Sequence, residues 1–291
     1  MNFVTTYKDV KKYKGFSLKN EIREPVLDIV SMFQHIKGDA ALQKNRIQFI
    51  YLHHVFNDER INLRNLLSFL SKHYAFISYS DAVKKILDNK IDKPYICISS
   101  DDGFKNNLTA ATILKEYEAP ACFFICPAII EERNYEKIKR FCVEKLHIPP
   151  VEFLNWNDID LLLNNGHEIG SHTMTHINIA AVQPNIIADE LRQSYQIIKK
   201  RIGDKIHFAF PYGRYFHFTE KARELVFDTG YCSCSSAERG CHIQQDKPPQ
   251  YEKLLIRRDN IVLGWKLSHI KYFLQRNAML TKLQQNNFLY S

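Results

Sequence analysis

Two hydrophobic periods alternate along the chain. Short β-favouring apolar runs recur at residues 47–55 (IQFIYLHHV), 95–98, 121–126, 206–210 and 254–256, each too brief for a buried helix and several bounded by proline or glycine. Between them, apolar residues fall at helical spacing over 63–73, 80–89, 105–117, 155–164 and 184–202, with Ser80 expected to cap the second of these helices. Strands that alternate with helices predict a parallel sheet whose helices cover its faces. The 121–126 strand leads into a long polar excursion through Pro149-Pro150, expected to be a loop at the rim of the sheet that shapes access. A further amphipathic stretch, 26–36, precedes the first strand, and residues 264–291 carry Trp265, Leu267, Ile270, Phe273 and Leu274 at mixed helical spacing.

Composition supports a sizeable globular core: 291 residues, 45% hydrophobic and 25% charged. The formal charge of +8 is dispersed, with small clusters at Lys11-Lys12, Lys84-Lys85, 199–201 and Arg257-Arg258. The absence of a basic stripe interleaved with aromatics argues against a nucleic-acid partner. The basic surface reads as a solvated one, with a phosphate-linked substrate or a membrane face as the alternative partner. No apolar run is long enough to span a bilayer, and the first residues lack the apolar centre of a signal peptide, so a cytoplasmic location is expected, with membrane association as its variant. Seven cysteines, an odd number, fit reduced thiols better than a disulfide framework. The Cys232-Ser233-Cys234 pair lacks the further ligands that a zinc site needs and reads as structural.

Chemistry gathers in two places. The strand at 95–98 runs into Ser99-Ser100-Asp101-Asp102-Gly103. Two adjacent carboxylates at the end of a buried strand repel each other and lose hydration, so they need a cation, a proton or basic partners. The competing reading is an ordinary turn in which one aspartate caps the following helix. The second place is Gly166-His167-Glu168-Ile169-Gly170-Ser171-His172-Thr173-Met174-Thr175-His176, where His172 and His176, four apart, share a face if the backbone turns helically. Two imidazoles and one carboxylate make a set of three donors with open positions, suited to zinc or another divalent first-row metal.

The Ser99–Gly103 stretch resembles the first motif of the polysaccharide deacetylases, the amidohydrolases of NodB homology, and His172–His176 resembles their second motif, H-[ST]-x-x-H. The resemblance implies Asp101 as general base, Asp102, His172 and His176 as holders of a divalent metal, zinc first and cobalt or nickel next, and a distorted (β/α) barrel over residues 46–291 with an N-terminal helical extension over 1–45. Leu52-His53-His54-Val55 resembles the Y-H-x-V opening of the branch that includes poly-N-acetylglucosamine deacetylases, which implies His53 as general acid, with His54 as second choice. Pro211-Tyr212-Gly213 resembles the third motif, and Tyr212 with the amide after it is expected to stabilise the oxyanion. The family's arginine two residues before that proline is replaced by Ala209, so Arg257 or Arg258 is expected to supply the missing charge. Leu267-Ser268-His269 faintly echoes a late family motif and makes His269 the fallback acid.

The implied activity is metal-dependent removal of an N-acetyl group from an amino sugar in surface glycan biosynthesis. Its partner is an N-acetylated sugar or glycan intermediate, nucleotide-linked or lipid-linked because no export signal is evident; the sequence does not specify an oligomeric state. The alternatives are a deformylase or other amide hydrolase of lipid-linked sugars, an O-deacetylase, and a catalytically inactive barrel acting as a binding module.

Overall fold

The computed structural model describes residues 3–15, 18–33 and 40–280. Two helices, α1 (Tyr7–Lys14) and α2 (Leu18–Phe33), precede β1 (Arg46–Leu52), a fully buried strand. The chain then runs α3 (Arg60–Leu70), β2 (Ala75–Phe76), α4 (Tyr79–Leu87), β3 (Pro94–Ser100), α5 (Asn107–Lys115) and β4 (Ala121–Ile125). It continues through α6 (Tyr135–Phe141), α7 (Trp156–Asn164), β5 (Glu168–Ser171), α8 (Pro184–Ile202), β6 (Phe208–Ala209) and α9 (Glu220–Thr229). The last described elements are β7 (Cys234–Ser235), β8 (Cys241–His242), β9 (Leu255–Ile256), β10 (Arg258–Asn260) and α10 (Leu267–Leu280).

The strands lie in the order β10-β1-β3-β4-β5-β6-β7-β9, parallel throughout, with β2 beside β3 and the short β8 antiparallel beside β1. Only Arg257 separates β9 from β10, so the two ends of this path meet and the sheet is a nearly closed, distorted (β/α) barrel. Alternation along β1 builds its two cores. Ile47 and Phe49 join Tyr79, Cys97, Phe124 and Ile256 in one cluster, while Ile50 and Leu52 join Leu63, Leu66 and Leu67 of α3 in the other. Gly170 on β5 is required by this packing, because a Cβ there would fall 2.4 Å from the Phe124 ring.

Several sequence expectations need correction. The polar excursion after β4 is not a plain loop: it contains α6 and a π-helical turn, Cys142–Leu146. Its Ile138, Cys142, Ile148, Val151 and Phe153 form a third core cluster with Val10 of α1 and Phe104. Burial of Val10 anchors α1 there, worth roughly 1.5–3 kcal/mol. The cap of α4 is Ser78, whose hydroxyl accepts from the Asp81 amide at 3.1 Å. Ser80 instead donates to Glu168 at 2.7 Å and ties α4 to the start of β5. Of the expected 26–36 helix, residues 26–33 lie in α2 and 34–36 fall outside the described residues, as do residues 281–291 of the C-terminal stretch. All seven cysteines are free thiols. No described helix is long and apolar enough to cross a membrane.

Candidate active site

The site forms where β1, β3 and β5 end. The Asp101 amide still donates to the Leu52 carbonyl, 3.0 Å, continuing the β1–β3 ladder. The chain then turns through two left-handed residues, Asp102 (φ 73°) and Gly103 (φ 76°). A non-glycine residue pays for that conformation, a cost that concentrates at functional sites. After β5, the His172 amide donates to the Ile125 carbonyl at 2.9 Å. The expected helical turn between His172 and His176 is absent. Thr173 (φ 63°) and His176 (φ 56°) are both left-handed, and Glu190 of α8 holds the loop by accepting from the Thr175 amide and hydroxyl at 2.8 and 2.6 Å. The two rings meet because the loop folds back, with centroids 5.1 Å apart.

Asp102, His172 and His176 are all buried, and one donor atom from each lies within 4.8 Å of the others. The Asp102 Oδ1 atom stands 3.7 Å from His172 Nε2 and 3.5 Å from His176 Nε2, too far for hydrogen bonds. Donors about 2.1 Å from a tetrahedral ion sit about 3.4 Å from one another, so the spacing fits a metal between them. His172 Nδ1 donates to the Ala209 carbonyl at 2.7 Å, which turns the Nε2 lone pair towards Asp102. Burial, and then the charge of Asp101, push the Asp102 carboxyl well above its ordinary value, the mark of a buried acid that wants a cation. Burial lowers both imidazoles, leaving them neutral as ligands require. The residues present therefore fit a divalent ion, and Asp102 does not cap α5.

Asp101 is handled differently. Arg258 donates to both of its carboxylate oxygens, Nη1 to Oδ1 at 2.7 Å and Nη2 to Oδ2 at 2.9 Å. Burial alone would raise the Asp101 carboxyl, but the Arg258 charge, helped by His172, outweighs it and the group lies below its ordinary value. Arg258 is itself fixed: Nε donates to the Ser236 carbonyl at 3.0 Å, Nη1 to Ser99 Oγ at 3.2 Å, and the guanidinium lies 4.5 Å from the Tyr51 ring centre. Of the two arginines suggested by sequence, Arg257 turns away, its guanidinium 5.6 Å from the Tyr215 ring. The backbone of Ala209, where the family's arginine is missing, orients His172 instead.

A cavity of about 290 Å³ opens over these groups, lined by His53, His54 and Tyr212 among others. His53 follows the end of β1, and its carbonyl accepts from Ser100 Oγ at 3.3 Å. Burial pushes its imidazole down to about 4, against the pull of Asp101. His54 is tied to Glu59, 2.9 Å from Nδ1, and stacks on Phe56. Tyr212 (φ 63°) places its ring 5.2 Å from that of His176. His269, the fallback acid, lies on α10, buried against Asp28 of α2 at 2.8 Å, and does not line the cavity.

The family model for polysaccharide deacetylases matches residues 88–234, which span β3 to β7 and hold both the Asp101-Asp102 and the His172/His176 motifs. The chain belongs to the polysaccharide deacetylase family. It is a hydrolase. Solved structures with the same fold include IcaB from Ammonifex degensii (TM-score 0.65, 16% identity, covering 80% of this chain and 98% of that one). The Streptococcus pyogenes deacetylase PplD in complex with acetate is similar (TM-score 0.60, 15% identity, 81% and 97% covered). So is a de-N-acetylase from Aggregatibacter actinomycetemcomitans (TM-score 0.61, 20% identity, 78% and 99% covered). Among curated proteins, none is significantly similar in sequence.

This deacetylase-family barrel also has cavity walls that sequence reasoning missed. Tyr7 and Lys14 of α1, Lys145 and His147 at the π-helical turn, and Asn260 on β10 all line it. Asn260 carried a signal, since it stands two positions after Arg258 on one strand. Tyr7 and Lys14 carried none, because they reach the site only through packing of the N-terminal segment.

Proposed function

We propose that the protein is a metal-dependent carbohydrate N-deacetylase that removes an acetyl group from an amino sugar during surface glycan biosynthesis, within the cell. One observation carries the reading: two adjacent carboxylates are given opposite tasks, Asp102 facing two neutral imidazoles and Asp101 clamped and ionised by Arg258. In this reading Asp102, His172 and His176 hold the ion, zinc before cobalt or nickel. When bound, such an ion polarises the acyl oxygen and eases deprotonation of water.

Hydrolysis of the amide removes one proton from water and delivers one to the departing nitrogen. Asp101, kept ionised by Arg258, takes the first. His53 delivers the second, gaining its proton most readily while Asp101 is charged, because that charge is what opposes the burial penalty on the ring. Tyr212 and Gly213 line the cavity, and in this reading Tyr212 and the amide after it stabilise the charge that develops on the acyl oxygen. The proposed boundaries, an extension over 1–45 and a barrel over 46–291, set β1 as the first element of the catalytic unit.

The test is acetate release from N-acetylated amino sugars by the zinc-loaded protein beside Asp101→Asn. Release by the wild type that collapses in the variant supports the reading. A zinc-loaded wild type that releases no acetate, or an Asp101→Asn variant of full activity, sinks it.

A further inference from the structure

The cavity wall carries positive charge without an internal counter-charge. Lys14, the last residue of α1, and Lys145, in the π-helical turn, both line it. Among the described residues, neither ammonium group has a hydrogen bond or an ion pair. The carboxylates that line the cavity are Asp101 and Asp102; the first is neutralised by Arg258 and the second belongs to the metal-binding set.

These lysines stand on fixed supports. Val10 of α1 and Cys142 of the π-helical turn share one apolar cluster, with Leu146 packed against it. The turn ends in left-handed His147 (φ 54°), whose neighbour Ile148 donates its amide to the Cys142 carbonyl at 3.1 Å. Such single π-helical turns are frequent at functional sites.

A cleft with uncompensated positive charge concentrates anions. Lysine ammonium groups bind phosphate as compact point charges. At about 290 Å³ the cavity is at the small end of ligand sites, with room for one sugar residue and its substituent. We infer that Lys14 and Lys145 bind a phosphate group carried by the sugar, so that the substrate is a glycosyl phosphate or diphosphate rather than a neutral glycan. This rests on the deacetylase reading and names the substrate class of the same site.

The test is calorimetric binding of N-acetylglucosamine 1-phosphate and of neutral methyl N-acetylglucosaminide to the full chain, at low and high salt. The variants are Lys14→Ala/Lys145→Ala and the charge-preserving Lys14→Arg/Lys145→Arg. The phosphate compound binds more tightly to the wild type, by about tenfold for each lysine engaged. That advantage disappears in the alanine pair, survives in the arginine pair and shrinks as salt rises. Equal affinity for the two compounds, a phosphate preference that persists in the alanine pair, or no binding of either compound overturns the inference. A nucleoside diphosphate sugar and a short-chain polyprenyl diphosphate sugar, compared in the same assay, identify the source of the phosphate. Acetate release separates the two readings: phosphate-dependent binding without acetate release removes the deacetylase and keeps the anion site. Acetate released equally well from both compounds does the reverse.

Discussion

Arg258 closes on Asp101 like a fork, with two nearly parallel hydrogen bonds of 2.7 and 2.9 Å between groups that are both buried. Removing the guanidinium strands a carboxylate in the barrel. Arg258→Ala is therefore expected to lose roughly 3–5 kcal/mol of stability, together with most of its turnover. Arg258→Lys keeps a charge but not the fork and falls between the two. Urea unfolding and acetate release, run on both variants, check this.

The proposed base and metal set are expected to be separable by mutation. Asp101→Asn is expected to lower turnover by about 10²–10⁴-fold while retaining metal. His172→Ala and Asp102→Asn lose the metal itself. Metal content measured beside turnover distinguishes the two outcomes.

A metal held by this site is also expected to stabilise the fold, because it would bind only the assembled site. At a free concentration of about a thousand times its dissociation constant it adds about 4 kcal/mol, several degrees in melting temperature. A chelator is expected to reverse the gain in the wild type, and zinc to produce none in His172→Ala. Thermal melts with and without zinc provide the check.

Gly264 touches the site at one remove. A Cβ at that position would fall 2.2 Å from Tyr7 Cε1, and Tyr7 lines the cavity beside His54. Gly264→Ala is expected to cost about 1–3 kcal/mol and to displace α1, raising KM more than it lowers kcat. Steady-state kinetics with a melting curve decide it.

Stability should also depend on pH through Asp259. Burial raises its carboxyl to about 7, although Gln48 and Asn277 donate to it. A folded value above the unfolded one favours the protonated native state. That contribution is present in full below about pH 4 and is lost as pH rises towards 7, by an amount on the order of 4 kcal/mol. Urea midpoints measured from pH 4 to pH 8 should fall over that window in the wild type and change less in Asp259→Asn.

What the sequence disclosed and what it withheld divide along physical lines. The strand ends were legible because a short apolar run broken by Asp101-Asp102 or His53-His54 records both the burial and the exit. The His172/His176 pair was legible as a pair, but its backbone was not, since the loop with left-handed Thr173 and His176 is held at Thr175 by Glu190 of α8. Sequence narrowed the arginine to two neighbours. Register chose between them: Arg258 pairs with Phe49 on β1, and alternation sends Arg257 to the other side. Ser80 looked like a cap because it is the right residue type near a helix start, yet a glutamate from β5 competes for its hydroxyl. Lys14 and Lys145 reach the cavity through a cluster built from segments far apart in the chain, which no local pattern records.

The seam of the barrel has a consequence for how the protein is made. Asp101 and Arg258 are 157 residues apart, and Arg258 stands on the last strand added to the sheet. On the ribosome Asp102, His172 and His176 emerge well before Arg258, the partner of Asp101. Every shorter nascent chain must carry Asp101 either solvated or protonated. Asp101 can thus be both buried and charged only once β10 docks, so closing the sheet and sealing that ion pair are a single event.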